Sequence, residues 1–446
     1  MLPAHLCTPV FYHTMLVVVF ACALLYWAAP AQAGGISLFN QVAMIGIGGG
    51  VLLLIGFRPV STIFVDMPNY AWDYERVQRG IEANYTDGFF NVLMRVCSPI
   101  LPVEGFFFVC AILYIVPLAW ASWRVHGAWA FPVFLASLSA LSFWGYGVNG
   151  VRNGMATSIL ILAFAFHDKP LVMLAVMAAA CGIHGSVIVP AFAFLVVRYV
   201  KRTELWLGFW ALCTAASLLA GNAGERLLNI YNPVSWDARA EGYIHSAGSG
   251  FRADFLAYSI FPVLITLLLA APTRARSRRL LARALNALGT GRGGMAGLPG
   301  ARRSASLAFA GAGAGVAVRA PQRSSKPARP VSRVPTQARP SAGQGASAWD
   351  RLPWVRLLRS DPLYARLVNT YLITNALWVL VINTAFSNRF AYLSWFMMPW
   401  ILLYPFVPGR IIDRPRTGLI GATLVAQYMF TYLMVVVVYP LRGLSL

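Results

Sequence analysis

The sequence predicts an all-α, polytopic integral membrane protein of about 11–12 transmembrane helices, with one broken helix pair. Three observations lead there. The 446 residues are 58% hydrophobic and only 11% charged, whereas soluble domains carry about 25% charge. Apolar runs of ~20 residues, the length that crosses a bilayer, recur along the chain. The net charge of +21 is also concentrated: from Arg274 to Ala348 there are fourteen Lys or Arg and no Asp or Glu.

The first run, 11–30, ends in "AAPAQA", which is similar to a signal-peptidase site. A signal peptide needs a positive start, however, and no Lys or Arg precedes Arg58. An uncleaved helix with its N-terminus outside is expected. Run 36–57 leads into a polar stretch, 58–104, which carries Asp66, Asp73, Glu75, Glu82 and Asp87. These carboxylates are expected to lie on a solvated surface. Runs 105–122, 127–145 and 152–167 follow at short spacing. The segment 171–198 is long for one helix and short for two. At its middle stands "CGIHGSVIVP", with Gly182, His184, Gly185 and Pro190. Glycines and a proline around a polar residue predict a helix that dips in and returns. Runs 204–221, 254–272, 363–383, 390–408 and 417–438 complete the set.

Lys and Arg collect on the cytoplasmic side of short loops. The basic stretch therefore fixes one side. It places "RYVKR" (198–202) and "GRIIDRPR" (409–416) inside, and 222–253 and 384–389 outside. With the broken helix, 145–152 and 58–104 face outside as well. A simple count of Arg58, Arg76, Arg79 and Arg95 pulls the other way. The domain reading is an N-terminal membrane block, 1–273, with extracytoplasmic loops 58–104 and 222–253, a basic cytoplasmic linker, 274–350, and a C-terminal membrane block, 363–440.

The linker is rich in Gly, Ala, Ser and Pro and has no helical or strand period, so disorder is expected. Its first part, "TRARSRRLLARALNALG", suits a basic amphipathic helix on anionic lipid. No aromatic interleaving or folded module accompanies the charge, so nucleic acid is not expected as a partner. The six cysteines show neither CxxC nor metal-ligand spacing and sit mostly in apolar runs. No metal or cofactor is expected.

Four residues share one design under this topology. Arg152, His184, Arg252 and Arg389 each stand near the start of a helix that runs from outside to inside. A helix N-terminus offers free N–H donors and a partial positive charge. A guanidinium added there makes a site for a phosphate-type anion. Three such arginines on one face point to a polyanion held at the lipid boundary, such as a lipid-linked diphosphate. Taken singly, an arginine at a helix end is an interfacial anchor, and a histidine beside glycine is a packed core residue.

The stretches "VRNGMATSILILAF", "IHGSVIVPAF", "GFRADFLAYSIFPVLI" and "NRFAYLSWFMMPW" resemble the EpsG-like members of the Wzy-type exopolysaccharide and O-antigen polymerases. In that family an arginine helix start is followed by an HxS break and by R-x-D-F and R-x-x-x-Y helix starts. Here Tyr392 follows Arg389 by three residues, a departure from the pattern. "DMPNYAWDYERVQRG" and "TDGFFNVLMRV" look like the family's extracytoplasmic D…Y loop and EPGF-like approach to the next span. The resemblance covers 36–272 and 363–438, and the linker looks like an insertion.

The resemblance implies a glycosyltransferase in the bacterial inner membrane. It would join undecaprenyl-diphosphate-linked oligosaccharides on the extracytoplasmic side, without metal or nucleotide sugar. His184 and Arg152 are the expected catalytic residues. Arg252, Arg389, Asp66, Tyr70, Asp73 and Tyr392 are expected to bind substrate. Membrane lipids, a flippase and a chain-length regulator are the implied partners. Three other functions fit the composition: a transporter or flippase, another lipid-phosphate transferase, and a non-catalytic component of a secretion complex.

Overall fold

The computed structural model describes residues 2–28, 34–82, 85–220, 251–270, 361–383, 387–407 and 417–441. The sequence-based expectations for the loop at 222–250, the linker 274–350 and the basic loop 409–416 lie outside the described residues. Met1–Ala271 and Leu352–Leu446 make one compact unit. Every described element is helical, and there is no strand among the described residues.

Ala4–Ala28 (α1) and Gly34–Gly56 (α2) come first. Met67–Gln78 (α3) and Gly88–Cys97 (α4) follow, then Val103–His126 (α5). The chain continues through Ala130–Leu138 (α6), Leu141–Val148 (α7), Val151–Ala165 (α8) and Pro170–Ile183 (α9). Ile188–Tyr199 (α10), Thr203–Ala220 (α11), Ala253–Ala270 (α12) and Pro362–Val379 (α13) come next. Ser387–Trp395 (α14), Met398–Leu403 (α15) and Thr417–Tyr432 (α16) close the bundle.

Four stretches have the length and hydropathy of a membrane span: Ala4–Ala28, Ser37–Gly56, Val103–Leu138 and Thr417–Leu441. The third is α5 and the start of its return. Gly127 takes φ +55, a conformation that favours glycine, and reverses the chain there. The other apolar runs are helices of 10–18 residues or shorter pieces placed end to end, such as α14 with α15.

The stretch 58–104 differs from the loop the sequence predicts, because it folds into α3 and α4. Met67, Tyr70, Ala71 and Tyr74 of α3 and Phe90, Met94 and Cys97 of α4 are buried. Each set recurs at helical spacing, so each helix puts an apolar face on the bundle.

The 171–198 segment turns back, as its glycines and proline suggest, but the break has a different cause. His184 is extended, with φ −154 and ψ 121, and a 3₁₀ turn over Gly185–Val187 follows it. Gly182 lies inside α9, and Pro190 lies in the first turn of α10, where a missing N–H costs nothing. Ser186 Oγ donates to Asn153 Oδ1 at the start of α8 (2.7 Å). Phe194 of α10 stacks on Phe164 near the end of α8, with ring centroids 4.0 Å apart. Helix α10 therefore runs alongside α8 in the same sense, opposite to α9.

Two ends of the bundle can thus be told apart. One holds the starts of α8 and α10 and the 58–104 helices. The other holds the turn after α8, where Arg124 bonds Ala165 O (3.0 Å) and Asp168. In the core between them, Asn375 is fully buried and fully used. It accepts from Trp210 (2.8 Å) and donates to Ser259 (3.1 Å) and Ser394 (3.0 Å). Such side chains tie helices together where water is absent.

Candidate functional site

The site is organised by Asp87, the residue before α4. An aspartate in that position usually caps its own helix. Here it makes no such bond. Its carboxylate reaches instead to two segments far along the chain. Oδ1 accepts the Gly185 N–H at 3.0 Å, a donor exposed by the break at His184. Oδ2 is bonded by the Arg152 guanidinium and lies 2.9 Å from His184 Nδ1. The side chain of Asp87 is 7% exposed, that of Arg152 16% and that of His184 22%.

Burial pulls the Asp87 carboxyl upward. The bond from His184, the charges of His184 and Arg152 and the Gly185 N–H together outweigh it, so the group titrates below its ordinary value of 3.8. It is ionised at neutral pH and can only accept. His184 Nδ1 therefore carries the proton of that bond, and in the neutral form of the ring the lone pair lies on Nε2. An imidazole held this way by a carboxylate is positioned as a general base.

Arg152, the second residue of α8, sits in a box of aromatic rings. Its guanidinium carbon lies 4.5 Å from the centroid of Tyr85, and 5.7 Å from those of Tyr70 and Phe90. Its Nε donates to the Tyr70 hydroxyl at 3.4 Å. Such stacking fixes the plane of the cation. The Tyr85 hydroxyl in turn donates to Asp73. Burial, that bond and the charge of Asp73 push Tyr85 well above its ordinary value, so it stays a neutral donor.

The remaining expected residues are placed differently. Arg389, on α14, pairs with Asp66 at 3.3 Å and is 42% exposed, the most open of the three arginines. Tyr392, one turn further on, is buried and meets Tyr146 edge to face at 5.0 Å. Arg252 is held by Asp254, two residues on, through Nε (3.0 Å) and a terminal nitrogen (2.8 Å), and covers the Phe255 ring. Tyr439, far along the chain, is a further partner, whereas Asp87 is not among these. All three arginines stand at helix starts. Each meets a carboxylate, however, so the end of the bundle is closer to neutral than the arginines alone suggest.

The structure thus brings Arg152 and His184 to one carboxylate, holds Tyr70 on Arg152, joins Asp73 through Tyr85, and sets Arg389 and Asp66 beside them. Asp87 and the Gly185 N–H are the members that sequence reasoning missed. The available signal was "TDG" before an apolar run, which reads as a helix cap. Among the described residues, no group of three or more His, Cys, Asp or Glu is placed to hold a metal ion.

Residues 47–282 match the EpsG family, a segment that holds Asp87, Arg152, His184 and Arg252 and spans just over half of the chain. The chain belongs to the EpsG family. Membership places it among membrane proteins of exopolysaccharide biosynthesis. No curated protein and no solved structure matches it. Arg389 and α13–α16 lie beyond the matched segment, so in this EpsG-family chain the Asp66–Arg389 pair joins the matched part to the unmatched one.

Proposed function

We propose that this EpsG-family protein polymerises oligosaccharide repeat units carried on polyprenyl diphosphate, at the extracytoplasmic face of the bacterial inner membrane. One observation carries the reading: a single buried carboxylate holds both an imidazole and a guanidinium. The acceptor sugar hydroxyl gives its proton to His184 Nε2 as its oxygen attacks the anomeric carbon of the donor chain. The bond from that carbon to the diphosphate oxygen breaks, and the electron pair leaves with the lipid diphosphate. Negative charge grows on that oxygen, and Arg152 and the more open Arg389 receive it. Asp87 orients His184 and steadies the imidazolium that forms. Tyr70 and Asp73 hold the arginine box in shape and offer hydroxyl and carboxylate partners to sugar.

The orientation rests on the basic linker, whose charge favours the cytoplasm and leaves the Asp87 end outside. A transport reading needs polar groups that exchange partners within the bilayer. Asn375, fully engaged with Trp210, Ser259 and Ser394, does not favour it. Deleting the gene tests the reading. Loss of polymer with single repeat units still displayed outside is the expected result. Repeat units trapped inside would indicate transport instead.

A further inference from the structure

Helix α4 has three sectors rather than two. Phe90, Met94 and Cys97 face the bundle and are buried. Asn91, Arg95 and Ser98 form a polar stripe, with Arg95 pairing with the exposed Glu82 at 2.8 Å. The third sector is apolar and bare. Phe89 is 53% exposed, Val92 53%, Val96 60% and Ile100, just past the helix, 76%. At 3.6 residues per turn these four fall within roughly 80° of one another. A helix standing in water has no reason to present such a row.

The row abuts an apolar helix. Helix α4 packs on the Gly182 end of α9, whose outward residues at its other end include Leu171, Val172 and Leu174. The joint is close: a Cβ on Gly182 of α9 would lie 2.7 Å from the Phe89 ring. Helix α9 is an apolar member of a membrane bundle, so its outward face meets lipid.

We infer that α4 is an interfacial helix lying in the membrane surface, with Phe89, Val92, Val96 and Ile100 among the acyl chains of bilayer lipid. Its polar stripe then faces water and its buried face holds the bundle, the arrangement an amphipathic helix adopts at a lipid boundary. Because Asp87 begins this helix, the anchor sets the depth of the carboxylate that holds His184 and Arg152. That depth is the headgroup layer, where, on the polymerase reading above, a lipid-linked diphosphate lies.

Site-directed spin labelling of the full chain in nanodiscs tests the inference without using activity. Labels are placed singly through Val92→Cys, Val96→Cys and, as the water-facing reference, Arg95→Cys, with the native cysteines replaced. At Val92 and Val96 the label should be more accessible to oxygen than to a water-soluble nickel complex, and at Arg95 the order should reverse. Equal nickel access at all three positions would overturn the inference, since the row would face water. Protection from both reagents at Val92 and Val96 would overturn it too, since a protein surface would then cover the row. Either result leaves the polymer assay, and the reading tested by it, untouched.

Discussion

Each end of the bundle holds an arginine against an aspartate and over an aromatic ring, and the two arrangements differ in what else the aspartate holds. At the end away from the candidate site, Arg124 forks onto both oxygens of Asp168 (2.6 and 2.8 Å), bonds Ala165 O and covers Phe166 at 4.2 Å. Asp168 is 53% exposed and has no second charged partner among these contacts. This pair ties α5 to the turn after α8 and is complete in itself. At the other end, Asp87 is buried, shares one oxygen between Arg152 and His184, and gives the other to a backbone N–H. A shared carboxylate couples a cation to a titratable base. The first arrangement ties two segments together; on the polymerase reading, the second also takes part in the reaction.

His184→Ala attacks that difference most directly. Loss of a positioned base typically costs ~100- to 10,000-fold, so polymer in a complemented deletion strain should fall to background while the protein remains in the membrane. Near-normal polymer would reduce the Asp87 end to the same structural role as the Arg124 end. Arg152→Lys comes next. Lysine keeps the charge but loses the planar fork and its stacking on Tyr85, and a loss of about 100-fold is expected for a transition-state donor. An interfacial anchor would tolerate that exchange, so unchanged polymer would assign Arg152 to anchoring.

Asp87→Asn should lower polymer as well, because an amide no longer fixes the tautomer of the imidazole it holds. It also carries a pH signature. The folded-state value of Asp87 lies below its ordinary 3.8, so its stabilising contribution is present above that value and is lost as pH falls through the lowered one. The melting temperature of the detergent-solubilised wild type should therefore exceed that of Asp87→Asn at pH 7, and the gap should narrow as the pH falls below 3.8. The smallest effect belongs to Asp168→Asn. An exposed pair contributes about 0–1 kcal/mol, so polymer should be unchanged and melting only slightly lowered. A large loss of polymer there would erase the contrast between the two ends.

Much of this contrast could be read in the sequence, and the part that could not has a clear cause. The break at "IHGS" and the arginines at the starts of α8, α12 and α14 follow from local rules, because glycine, histidine and helix-start signals act within a few residues. The carboxylate partners do not. Asp87 lies 65 residues from Arg152 and 97 from His184, and its own neighbours announce a helix cap. Arg252 shows the converse: one of its partners, Asp254, is visible in "FRADF", two residues on. Stretch 58–104 reads as a loop because α3 and α4 are only 12 and 10 residues long and carry charged residues, so neither has the length of a span.

The contact between the first and last long helices bears on how the chain is made. Trp27 donates to Gly418 O at 2.8 Å across 391 residues, and Tyr428 bonds the carbonyl of Tyr12. At about 5–20 residues per second, the ribosome reaches the second partner roughly 20–80 s after the first. Helix α1 waits through that interval without α16, while Phe143 and Trp144 of α7 stack on Phe11 and Tyr26 bonds Asn40 of α2. The α1–α16 contact is therefore set by the end of translation, and a ribosome stalled anywhere in the long basic stretch leaves α1 in the membrane without α16.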